Sequence, residues 1–148
     1  MSTEAERVLA FEVGGVAWAL SLADVREVTD LGELHAVPTL PRSLASVTNH
    51  RGDALPVVAP DALLDLQQAS LPAARQLLVI GGSGDEPGRL GLPVDRVLGL
   101  TQEPSVSSAP DGIVRAHGSF EGRMLHVLDG ERLLARAEEV IARGQARP

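Results

Sequence analysis

The chain has no cysteine and no tyrosine, a single tryptophan and two phenylalanines. Without cysteine there is no disulfide, no thiolate metal ligand and no thiol nucleophile, which fits a reducing compartment. Three aromatic rings cannot fill a core, so aliphatic side chains must. At 44% hydrophobic residues in 148, there are enough of them to rule out wholesale disorder. No apolar run reaches 18 residues, and no basic start precedes an apolar block, so neither a membrane span nor a signal peptide is predicted. Positive charge is scarce. Thirteen Lys and Arg face twenty Asp and Glu, for a net charge of −7, a poor balance for a general nucleic-acid binder.

Catalytic signatures are equally scarce. His35, His50, His117 and His126 form no His-x-x-x-His pair and no HExxH. They read as surface or strand positions, since zinc ligands ordinarily show local spacing. GGSGDEPG (81–88) lacks the Lys-Ser/Thr ending of a phosphate loop and no helix follows it, so it reads as a hairpin loop. Ser83 has no G-x-S-x-G elbow around it. Asp95, beside Arg96, reads as a turn residue rather than a base.

What the chain does have is punctuation. Fifteen Gly and ten Pro, spread along its length, favour many short strands and turns. The central stretch is VTNHRGDALPVV (47–58), a strand, a polar tip and a second strand, with Arg51 at the tip. Before it, Val8–Val13 and Val16–Leu20 pair around Gly14-Gly15. SLADVREV (21–28) then reads as a short helix-like segment, with Ser21 and Asp24 resembling a capping box. Leu31–Val37 reads as a short strand ending in a loop marked by Pro38 and Pro41. Pro60-Asp61 opens a short helix, DALLDL, and residues 67–74 read as a linker. Further on, Gln76–Ile80 and Leu90–Val94 are strands, DRVLGL follows, and residues 101–112 are a polar loop. Val114–Phe120 and Met124–Leu128 form a hairpin around Glu121-Gly122. The tail is an amphipathic helix with Leu133, Leu134, Ala137, Val140 and Ile141 on one face, Asp129 as its cap and Gly144 at its expected stop.

The two halves repeat. ALSLADVREV (19–28) moved by 72 residues lies on GLPVDRVLGL (91–100). GDALPVVAPDALL (52–64) moved by 70 lies on GRMLHVLDGERLL (122–134). The order of elements matches as well as the residues, so a duplicated unit is predicted. It suggests two small β-barrels side by side, about 8–70 and 75–143, with a groove between them. In the second unit Glu121 takes the place of Arg51, so the fold unit does not need the arginine.

FEVGGVAWALSLADVREV, VTNHRGDALPVV, GLPVDRVLGL and MLHVLDGERLL, in this order and spacing, resemble the CheW-like coupling proteins of bacterial chemotaxis. The resemblance covers residues 8–134. It implies a mainly β fold of two SH3-like five-stranded barrels in one domain over residues 8–143, after a flexible N-terminus of residues 1–7. It also implies a cytoplasmic, non-enzymatic scaffold at membrane-associated receptor arrays, needing no cofactor or metal. The partners it implies are a methyl-accepting chemoreceptor's cytoplasmic tip and the regulatory domain of a CheA-type histidine kinase. Carried over by motif, the corner glutamate and turn arginine of the family fall on Glu27 and Arg51, paired as a salt bridge. Val25, Glu27, Ser46, Arg51 and Gly99 fall on the receptor-binding groove.

This chain departs from the pattern at Ser46 in place of Gly, His50 in place of Leu and Ala59-Pro60 in place of Asp-Leu. RAHGS (115–119) matches the second hairpin only loosely. These changes motivate an alternative, a divergent adaptor that holds a single partner in a non-flagellar chemosensory pathway. A third reading, from another class, is a small hydrolase or metal-binding module using His50 and His126.

Overall fold

A computed structural model of the chain describes residues 7–37, 40, 45–64, 74–82, 86–104 and 112–146. The expectations for residues 1–6, Pro38, Pro41, and most of the 67–74 linker and the 101–112 loop lie outside these residues. The first half supplies β1 (Arg7–Val13), β2 (Val16–Ser21), a 3-10 turn (Leu22–Asp24), β3 (Val25–Asp30), β4 (His35–Ala36), β5 (Ala45–His50), β6 (Asp53–Val58) and α1 (Pro60–Leu63). The second supplies β7 (Gln76–Ile80), β8 (Leu90–Val94), β9 (Arg96–Gln102), β10 (Val114–Phe120), β11 (Arg123–Leu128) and α2 (Gly130–Ala146). The repeat is exact in places. β9 is β3 shifted by 72 with one more residue at its start, β11 is β6 shifted by 70, and the helices that follow start at 60 and 130.

Three hairpins turn on two residues, Gly14-Gly15, Arg51-Gly52 and Glu121-Gly122, each with positive φ at both positions. Such turns carry the twist that matches the flanking strands. Arg51 (φ 53°) and Glu121 (φ 50°) hold this conformation without the freedom of glycine. At the first of these two, the Asn49 side-chain oxygen accepts the Gly52 N–H at 2.9 Å and supports the turn.

The strands form a five-stranded sheet, β10-β11-β2-β1-β9, and a six-stranded sheet, β3-β7-β8-β6-β5-β4. The expected pair of barrel-like β units stands, but each sheet draws strands from both repeats. The β1–β2 hairpin sits among strands of the second half, and the β7–β8 hairpin among strands of the first. The exchange is symmetric. Replacing each strand by its repeat partner turns the first order into the second, leaving β4 as an extra edge. Both exchanged hairpins join their hosts by parallel pairings, β2 with β11 and β8 with β6.

The exchange explains why these strands read as apolar runs rather than alternating ones. Each carries an unbroken run of buried residues, 8–11, 17–20, 77–80 and 90–94. A strand covered on both faces must be apolar on both. One face of β1 and β2 (Val8, Ala10, Ala17, Ala19) packs with Ala116, Leu125 and Val127 inside the five-stranded sheet. Leu77 and Val79 of β7 pack with Leu55 and Val57 inside the six-stranded one. The opposite faces (Leu9, Phe11, Trp18, Leu20, Leu78, Ile80, Leu92, Val94) meet in one large cluster, closed by Leu63 of α1 and Leu133 and Ala137 of α2. Where a groove between two barrels was expected, this shared core fills the space.

Further corrections concern boundaries. SLADVREV is helical only at Leu22–Asp24, where the Ser21 hydroxyl accepts the Ala23 N–H at 3.3 Å. From Val25 the chain pairs with β7, because a sheet edge needed a partner more than a short amphipathic turn needed extension. Asp24 closes no capping box; its carboxylate lies against Gly130, the first residue of α2. β4 is two residues long, shorter than the expected 31–37 strand. Asp129 caps α2, accepting the Arg132 N–H at 3.1 Å, but the helix runs past Gly144 to Ala146. Asp95 is structural. Its N–H donates to the Glu12 carbonyl at 2.8 Å, and its carboxylate accepts the Gly14 N–H at 2.9 Å.

Because each sheet is completed by the other half's hairpin, fragments 1–74 and 75–148 should each stay unfolded alone and regain strand structure on mixing. Circular dichroism and NMR dispersion check this, and a folded single fragment would contradict it. Leu92→Ala, fully buried in the shared core, should cost about 2–5 kcal/mol in urea unfolding. Val28→Ala, on the exposed side of β3, should stay within about 0.5 kcal/mol.

Candidate functional site

Among the described residues neither sheet closes by backbone hydrogen bonds; each is a strip with two ends. In the six-stranded strip, β3 and β5 are separated by β7, β8 and β6. Yet Glu27 of β3 reaches the β5 tip. Its Oε1 stands 2.6 Å from Arg51 Nη2 and its Oε2 3.1 Å from His50 Nε2. The strip has therefore curled until its ends meet, and side chains make the closure. A bulge helps. Val25 pairs with Ile80 and Glu27 with Val79, so Arg26 is the extra residue that bends β3. On the other side, the Thr48 hydroxyl donates to the Glu33 carbonyl at 2.9 Å and ties β5 to the segment leaving β3.

The three side chains are graded in exposure, with His50 at 12%, Glu27 at 23% and Arg51 at 74%. His50 thus forms the floor, Glu27 the wall and Arg51 the outward face. An ionised carboxylate only accepts, so His50 Nε2 must carry the proton in this contact. The hydrogen bond from His50, together with the positive charge of Arg51, holds the Glu27 carboxyl below the ordinary glutamate range, against a smaller opposing effect of burial. Beside them lies a polar cleft of about 290 Å³ lined by Thr29, Asp30, Thr48, Asn49 and the three side chains.

The five-stranded strip closes at the equivalent corner by different chemistry. Gly99 corresponds to Glu27, Phe120 to His50 and Glu121 to Arg51. The Phe120 ring tip lies 3.5 Å from where a Cβ on Gly99 would stand. One corner is ionic, the other apolar.

Of the residues expected at a partner site, the structure brings Glu27 and Arg51 together. Val25 begins the same strand, half-buried against the shared core. Ser46 is 7% exposed, paired with Val57 on one side and Ala36 on the other. Gly99 belongs to the other sheet, opposite Ala10. The residue that sequence reasoning undervalued is His50. It appeared there as a departure from the family's leucine and as a candidate metal or catalytic residue, whereas it supplies Glu27 with a second polar partner. The register was the available signal, since His50 pairs with Asp53 and so shares the tip with Arg51. His50 and His126 lie in different sheets and share no site. Among the described residues no group of three or more His, Cys, Asp or Glu could hold a metal ion.

Two curled strips that trade hairpins, with one corner fastened by an outward-facing ion pair, define a mainly β scaffold domain. The CheW-like domain family pattern matches residues 7–138, and the chain belongs to that family. It is 28% identical over 146 residues to protein FrzA of Myxococcus xanthus, spanning 90% of this chain and 88% of that one. It is 23% identical over 136 residues to the chemotaxis protein CheW of Bacillus subtilis, spanning 87% and 86%. The crystal structure of the scaffolding protein TtCheW from Thermoanaerobacter tengcongensis shares the fold, with a TM-score of 0.66 over 86% of each chain at 17% identity.

With its pKa depressed in the folded state, Glu27 contributes stability that is fully present above the unfolded value of 4.5 and is lost as pH falls through the folded one. A carbon-detected NMR titration should place the Glu27 midpoint below that of ordinary glutamates. Because the pair is largely solvent-facing, Glu27→Gln should cost less than about 1 kcal/mol at neutral pH.

Proposed function

We propose that this protein is a non-catalytic coupling scaffold of a bacterial chemosensory pathway. It joins the cytoplasmic tip of a methyl-accepting chemoreceptor to the regulatory domain of a CheA-type histidine kinase. It works in the cytoplasm, at membrane-associated receptor arrays. Family membership supports the class of function, and the Glu27–Arg51 pair supports the place. A surface ion pair adds little to folding. An arginine held at a turn with positive φ, 74% exposed and already oriented by a carboxylate, is instead well prepared to meet a partner. Pre-ordering it lowers the entropy lost on binding. Val25, Ser46 and Gly99 complete the proposed receptor groove on the strength of their motif positions.

A second reading, a single-partner adaptor in a non-flagellar pathway, is favoured by one observation. His50 gives this corner a polar floor where the family pattern has leucine, so a receptor tip selected for an apolar contact would meet a different surface.

Pull-downs with purified receptor-tip and kinase regulatory fragments separate the two. Binding of both with comparable affinity removes the single-partner reading. Arg51→Glu should weaken the receptor arm at least about tenfold by setting two carboxylates side by side. Combining it with Glu27→Arg should restore part of the loss. Unchanged binding in Arg51→Glu would move the site elsewhere.

A further inference from the structure

Alternate side chains of β5 face inward, and the last three of them are Ser46, Thr48 and His50. Ser46 and Thr48 are buried polar residues, and His50 is mostly covered. Thr48 and His50 both bond across the closure of the six-stranded strip, Thr48 to the Glu33 carbonyl at 2.9 Å and His50 Nε2 to Glu27 Oε2 at 3.1 Å. The first bond ties the strand down, so His50, two residues on, meets Glu27 with little freedom left. In the other repeat the same positions are Ala116, Gly118 and Phe120, whose side chains carry no donor. The polar inward face therefore belongs to this corner and not to the fold unit.

The terminal torsion of a glutamate is broad and roughly two-fold. A partner on Oε1 alone leaves the carboxylate free to turn. His50 holds Oε2 from beneath, which leaves Oε1 aimed outward at Arg51 Nη2, 2.6 Å away. The hydrogen bond from His50 is also the largest influence on the Glu27 carboxyl, ahead of the charge of Arg51. Anchoring thus runs from the floor of the corner up to Arg51. Three consecutive residues divide the work. Asn49 fixes the turn through the Gly52 N–H, His50 fixes the carboxylate, and Arg51 is displayed.

We propose that His50 is the positioning residue of the partner site: acting through Glu27, it holds the Arg51 guanidinium ready for an acidic side chain on the docked receptor tip. This rests on the coupling function proposed above. A carboxylate is the occupant that fits, because the planar fork of arginine takes one in two-pronged form. The bond from His50 to Oε2 also draws off part of the Glu27 charge that a second carboxylate would otherwise meet. With the family's leucine at position 50, Arg51 alone would have to hold Glu27.

The clamp is tested without a partner. The heteronuclear NOE of the Arg51 Nε–Hε pair is measured on the full, isotope-labelled chain. It should show an ordered side chain in the parent, fall to the level of the exposed Arg143 in His50→Leu, and recover in His50→Gln, whose amide can still donate to Oε2. Glu27→Gln should lower it as much, and adding His50→Leu to that variant should change nothing further. An Arg51 signal unchanged in His50→Leu overturns the proposal. Recognition is then read with the purified receptor-tip fragment. His50→Leu should weaken binding at least about fivefold and His50→Gln no more than about twofold. Replacing the tip's exposed Asp and Glu one at a time by Asn and Gln should find one whose loss matters to the parent and not to Arg51→Gln. Undiminished binding by His50→Leu, or no acidic residue coupled to Arg51, overturns the proposal and leaves the coupling function standing. A parent chain that binds no receptor tip counts against the coupling function itself, while the NOE comparison still decides the clamp.

Discussion

Two-sided burial of the exchanged hairpins is the constraint on which the structure rests. β1, β2, β7 and β8 each give one face to their own sheet and the other to the shared core. No half of the chain can satisfy both faces alone. The duplication therefore yields an interlocked pair of barrel-like sheets, and the helices need only close the rim. α1 is a single turn and α2 an amphipathic lid, because the strands already bury one another.

Much of this was legible in the sequence, and the part that was not has a physical reason. Composition and turn residues placed most strands, and the repeat registers of 72 and 70 match the shifts between β3 and β9 and between β6 and β11. The exchange was hidden because a repeat records which residues are alike, not which strands pair. Its trace was present all the same. QLLVI and LGLPV do not alternate, and a strand without alternation is covered on both sides. SLADVREV misled because Ser and Asp at helix-start spacing also suit a tight turn, and the β-branched Val25 and Val28 that follow prefer a strand. At the site, Glu27 and Arg51 were reachable by motif. His50 had only its hairpin register to point to it, because its role depends on a strip curling until its ends touch, a long-range event.

The two corners show how one fold unit supports different surfaces. Both strips need their ends fastened, and either chemistry serves. Gly99 with Phe120 closes by apolar contact. Glu27 with His50 closes by charge and hydrogen bond, and leaves Arg51 facing outward. The outward cation follows from a polar closure, since Arg51 is steadied by the same carboxylate that fastens the strip.

Among the described strands the chain crosses between the sheets at two places, the three-residue turn Leu22–Asp24 and the single residue Asp95. Both crossings are pinned, the first by the Gly81 N–H on the Asp24 carbonyl at 3.1 Å, the second by the bonds of Asp95 to Glu12 and Gly14. Sheets that merely abut can slide; sheets stitched by taut covalent crossings cannot. A molecule gripping one strip and another gripping the second would be joined by a stiff strut, so that a displacement imposed at one end is delivered at the other with little lost to play in between.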